Sequence, residues 1–126
     1  MAKAVIIRTS GKKEVVEFEI GKSYNLISTA VGGMIECITL HDKEGQPDMW
    51  INENGKFSGL DQNPYATALW VDMYSTTDVI MGDVIITGGA DDEGETLGLS
   101  DEQVEYFMKR DNAIWNTALP GFISLA

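Results

Sequence analysis

"KAVIIRTSGKKEVVEFEI", residues 3–20, carries the pattern from which the fold is read. Val5, Ile6 and Ile7 supply a β-branched run, and Ser10-Gly11 has turn chemistry. Val16, Phe18 and Ile20 then alternate with Glu17 and Glu19. Alternation at a period of two sends successive side chains to opposite faces, giving this run one dry side and one wet side. Two such runs joined by a glycine-containing turn read as a β-hairpin. A hairpin is marginal in water until more strands or a helix pack on it, and the residues that follow supply both.

In "SYNLISTAVGG", residues 23–33, Leu26, Ile27, Ala30 and Val31 recur at helical spacing, and Gly32 suits the left-handed position past a helix end. "MIECITLHD" reads as a strand with Ile35, Cys37, Thr39 and His41 on one face and Met34, Glu36, Ile38 and Leu40 on the other. "KEGQP" is turn-like, and "DMWINENGKF" is a further strand running into an Asn54-Gly55 turn. Asn63 is placed to cap a helix whose first residue is Pro64, with Ala66, Leu69, Trp70 and Met73 as its apolar stripe. "GDVIITGG" is a buried strand bounded by glycines. Ser100 with Gln103 forms a capping-box pattern ahead of Val104, Phe107 and Met108. Asp101 and Glu102 in the first turn and Lys109 and Arg110 near the end suit the helix dipole. The expected fold class is α+β: a small mixed, mainly antiparallel sheet of about five strands with two or three helices.

The 126 residues read as a single domain, 1–126, with an apolar C-terminal extension at 113–126. Trp115, Leu119, Phe122 and Ile123 make that extension too apolar to hang in water. It packs either on its own core or on another subunit, where these four residues would form a homo-oligomer contact. The net charge of −11 is lopsided: residues 1–60 hold seven Lys or Arg against eight acids, residues 61–126 two against twelve. Polyanion binding needs clustered cations, so nucleic acid and anionic membrane surfaces are excluded as partners. Cys37 is the sole cysteine, and the apolar run Ala4–Ile7 is too short for a signal-peptide core, so a cytoplasmic location is the expectation.

The acidic stretch "GGADDEGETLGLSDEQ", residues 88–103, resembles a calcium loop only in composition. With Gly94 at the loop's sixth position, Gly89 and Ser100 fall where positions one and twelve need oxygen-rich ligands. Asp91, Asp92 and Glu93 remain weak metal candidates, and residues 91–95 read as a mobile, hydrated connection. His41 is the one histidine. It stands roughly 13 Å along a regular strand from Cys37, too far for a nucleophilic dyad. Cys37 reads as a small core residue and His41 as a strand-end polar group. One Cys and one His make no structural zinc site, and neither glycine pair matches a phosphate-binding fingerprint. No cofactor is expected.

"VGGMIECITL", "WINENGKFSGLDQNP", "MGDVIITGGADDEGE" and "LSDEQVEYFM", in this order, resemble a family of unknown function spread through bacterial and phage genomes. The likeness covers about residues 3–108 and is similar to versions carried by tailed phages of cyanobacteria. It implies a compact α+β fold in a phage or mobile-element setting, and carries no catalytic motif over to this chain.

The function expected is that of a non-enzymatic accessory binding protein, phage-encoded, engaging a host protein or a small ligand in host takeover or counter-defence. Of the aromatic residues Trp50, Phe57, Tyr65, Trp70 and Trp115, most are expected in the core, with at most two exposed. Candidate ligand-binding residues are Arg8, Lys22, Trp50, Lys56 and Trp70. One alternative is a sponge for a nucleotide second messenger, which needs cations such as Arg8, Lys12, Lys13, Lys22 or Lys56 on its phosphates. The other is a divalent-metal-dependent enzyme using acids such as Asp83 or Asp91.

Overall fold

The computed structural model describes residues 1–41, 45–74 and 78–114. Trp115, Leu119, Phe122 and Ile123 therefore lie outside the described residues, as does most of the expected apolar extension. The opening hairpin forms. β1 (Ala2–Ile7) and β2 (Lys13–Phe18) pair antiparallel, with Ala2 opposite Phe18 and Ile7 opposite Lys13. A second hairpin joins β3 (Ile35–Thr39) to β4 (Asp48–Asn52). The glycine-bounded run becomes β5 (Val84–Thr87), which slots between the two hairpins. The sheet order is β2-β1-β5-β4-β3.

Every neighbouring pair is antiparallel. The parallel component of the expected mixed sheet is thus absent among the described strands. β5 is flanked on both edges and covered on both faces, and all four of its residues are buried. That explains its continuous apolar run, in contrast to the alternation of the edge strand β2.

Three helices cover the sheet, one on one face and two on the other. α1 is Tyr24–Val31, α2 is Pro64–Tyr74 and α3 is Asp101–Lys109. Alternate strand residues divide the core. Val5, Ile7, Met49, Val84 and Ile86 pack with Ala66 and Leu69 of α2 and Phe107 of α3. Ala4, Ile6 and Ile85 pack with Ile27, Ala30 and Val31 of α1. Each fully buried aliphatic side chain contributes about 1.5–3 kcal/mol, so the two small cores together dominate the stability.

The helix ends follow the sequence signals. Gly32 adopts φ 79° at the end of α1 and donates its N–H to Ser28 O. Asn63 Oδ1 accepts from Ala66 N at the start of α2. Ser100 and Gln103 form both bonds of a capping box on α3. Among the described residues no helix is long and apolar enough to cross a membrane.

Two expectations about burial need correction. Ile20 is 44% exposed, because β1 begins at Ala2 and leaves no partner strand beyond Phe18. Cys37 is exposed rather than part of the core. It lies on the edge strand β3, on the face where the α1 cluster reaches Ile35 but goes no further along that strand.

Candidate binding cleft

α3 packs on the β2–β1 side of one sheet face with α2 beside it, and together they leave a corner open at one end of β3 and β4. There a cleft of about 190 Å³ is floored by Ile38 and Ile51, with Trp70 and Ile80 beside them. One wall is the turn after β4 and the other is the segment 78–81.

The first wall follows from local chemistry. Asn52, buried, accepts from Asn54 N through Oδ1 at 2.8 Å and donates from Nδ2 to Val31 O at 3.1 Å, so the turn is anchored to the end of α1. Gly55 then lies against the opposite wall. A Cβ there would fall 2.9 Å from Met81 O, so only glycine allows this approach without a shift. Phe57 follows, 93% exposed on the rim.

The second wall is pinned by Asn63 and Thr67, both fully buried. Asn63 N donates to Ile80 O at 2.8 Å, and Ile80 N donates to Thr67 Oγ1 at 2.9 Å. The Asn63 Nδ2 group reaches Ile7 O at 3.0 Å and Gly82 O at 2.9 Å. The cap of α2 thus ties a central strand and a cleft wall to that helix. The sequence signalled only the cap.

Charge on the rim is mostly negative: Glu36, Glu53 and Asp78 against Lys56. Glu36 stands opposite Ile51 in the ladder. Lys56 pairs with Asp78. Burial pushes the Asp78 carboxyl up, but the Lys56 ammonium and the Val79 N–H outweigh it and hold it below its ordinary value. Trp70 stacks on Tyr74 with ring centroids 4.4 Å apart, and the Tyr74 hydroxyl donates to Thr39 O at the edge strand.

Of the five ligand-binding candidates, the cleft brings together Lys56 and Trp70. Arg8 lines a separate shallow depression of about 330 Å³ with Asp83. Its guanidinium donates to Asp83 at 3.0 Å and to Glu14 at 2.9 Å, and these bonds raise its pKa. Asp83 also accepts from Thr9 N at 2.9 Å, so it serves the β1–β2 turn. Lys22 pairs with Glu19 on the surface. Trp50 is on the opposite sheet face and donates from its indole to Thr87 Oγ1 at 2.9 Å. Glu36, Glu53 and Phe57 were not among the candidates. Phe57 had one readable signal, an aromatic stranded in the polar turn "NENGKFSG" with no periodic partner.

The acidic stretch resolves into two uses. Asp101 and Glu102 open α3. Asp91 Oδ1 accepts from Glu93 N and Glu95 N, each at 2.9 Å, and its own N–H donates to Glu95 O. This connection is exposed, as expected for a hydrated one, but it is a closed hydrogen-bonded turn rather than a loose loop. Among the described residues no three of His, Cys, Asp and Glu gather as a metal-holding group.

Nucleophilic chemistry fares no better. Cys37 meets solvent, yet the burial its thiol does suffer, followed by the charge of Asp48 and a hydrogen bond to it, pushes its pKa up to about 12. Reactive cysteines are shifted the other way. His41, exposed, faces Gln46 Nε2 across 3.3 Å at its Nδ1.

The sequence matches, over residues 2–112, the family described as "Domain of unknown function (DUF3846)". No curated protein matches it, and no solved structure does.

Proposed function

The chain belongs to this family of unknown function, and on that premise we propose that it is a non-enzymatic binding protein that engages another protein through the cleft beside Trp70. The observation that carries this reading is Phe57, a large apolar side chain held 93% exposed at the rim of an apolar-floored cleft. Leaving a Phe in water forgoes about 1.5–3 kcal/mol that a covering partner would recover. The turn that presents it is fixed by Asn52 and Gly55, so little ordering entropy opposes binding.

At this cleft, size favours a protein over a small ligand. Pockets for drug-sized molecules run to about 300–1,000 Å³. At about 190 Å³ the cleft suits one anchoring side chain of a partner. A nucleotide sponge has less support: every Lys and Arg among the described residues already stands within 4.0 Å of a carboxylate. A metal-dependent enzyme built on Asp83 or Asp91 would have to free carboxylates that hold backbone N–H groups. The phage-encoded, host-directed setting rests on the motif resemblance.

The test is capture from host lysate with the wild-type chain and with Phe57→Asp. Position 57 is exposed, so the variant should keep its melting temperature. Partner capture lost in the variant supports the reading. Capture that is identical for both proteins, or absent for both, refutes it.

A further inference from the structure

We propose that the occupant of the cleft is a basic peptide segment of the partner, with one apolar anchor residue flanked by Lys or Arg. This rests on the binding reading above and assigns it a ligand chemistry. Three observations converge. The floor, made by Ile38 and Ile51 with Ile80 beside them, accepts an apolar group, and the cleft's volume of about 190 Å³ suits an anchor of a single side chain. The rim carries Glu36, Glu53 and Asp78 against one cation, Lys56. That cation is already matched to Asp78, and among the described residues Glu36 and Glu53 make no ion pair.

Glu36 and Glu53 both line the cleft. Glu36 lies opposite Ile51, on the face of the ladder that lines the cleft, and Glu53 stands in the turn just after β4. Phe57 adds a third element. Its exposed ring offers a π face that attracts a guanidinium or ammonium, arginine most of all. An acidic or phosphorylated segment would meet like charge on the rim and a chain of net charge −11 behind it. A basic segment would be steered towards both.

The experiment pans a random dodecapeptide library on the full chain. Recovered peptides are then titrated by fluorescence polarisation against wild type, Phe57→Ser and the double variant Glu36→Gln/Glu53→Gln. All three positions are exposed, and an unchanged urea midpoint checks that each variant is folded. The expected result is a pool enriched in Lys and Arg around one apolar residue. Its affinity should fall about tenfold in the carboxamide double variant, as two exposed ion pairs worth a few-fold each predict. It should also weaken as salt rises. Peptides that need Phe57 but show no basic excess, or ignore the double variant, overturn the charge assignment while leaving the cleft reading intact. Peptides indifferent to Phe57→Ser, or an unenriched pool, overturn both.

Discussion

Replacing Asn63 by alanine removes three side-chain hydrogen bonds at once: the cap to Ala66 N and the two Nδ2 bonds to Ile7 O and Gly82 O. The side chain is fully buried, so water cannot substitute without opening the core. Losing an Asn cap costs about 1 kcal/mol. Each carbonyl deprived of its donor in a buried site adds about 1–2 kcal/mol, so the sum is about 3–5 kcal/mol. Against a whole-domain stability of about 5–15 kcal/mol, that is a large fraction. Urea unfolding followed by tryptophan fluorescence measures it directly. Asn63→Asp separates the contributions: it keeps the cap acceptor but turns a carboxylate towards two carbonyls. The introduced carboxyl is favoured protonated in the folded state, so its raised pKa makes this variant gain relative stability as pH falls. A loss below about 1 kcal/mol for Asn63→Ala would refute the view that this residue clamps strand, helix and cleft wall together.

Three further outcomes follow from the same geometry. Gly55→Ala should cost at least about 1 kcal/mol and weaken any ligand of the cleft, because its Cβ would press on Met81 O at 2.9 Å; calorimetric melting and peptide binding read the two effects. The Cys37 thiol, at about 12, should react with a maleimide about a thousandfold more slowly at pH 8 than a free cysteine, with the rate rising about tenfold per pH unit. Asp48→Asn should accelerate that reaction, and a free-thiol rate in the unmodified protein would disprove the account. Glu14 is held below its ordinary value by hydrogen bonds from Arg8 and then Lys12. The stability it adds is whole above the ordinary glutamate range of about pH 4.3 and is lost as pH falls through the depressed value. Glu14→Gln should therefore flatten the acid limb of a melting-temperature profile.

The local grammar of this chain was legible because it depends on neighbours in sequence. The alternation of Val16 and Phe18 with Glu17, the Gly32 helix end, the Asn63 cap and the Ser100–Gln103 box each involve contacts within a few residues. Such contacts do not depend on where the rest of the chain goes. They were enough to set an α+β class with about five strands and two or three helices, and the structure has five and three. Tertiary structure alone decided that "VIIT" enters the sheet between the two hairpins and that every strand pair is antiparallel. Strand pairing joins residues about eighty positions apart, as in Val5 with Ile86, and nothing in a local window encodes it. The same holds for the cleft. Glu36, Phe57, Trp70 and Asp78 become neighbours only because two helices leave one corner of a sheet uncovered, so the charge and shape that a partner would meet belong to the fold and to no single stretch of sequence.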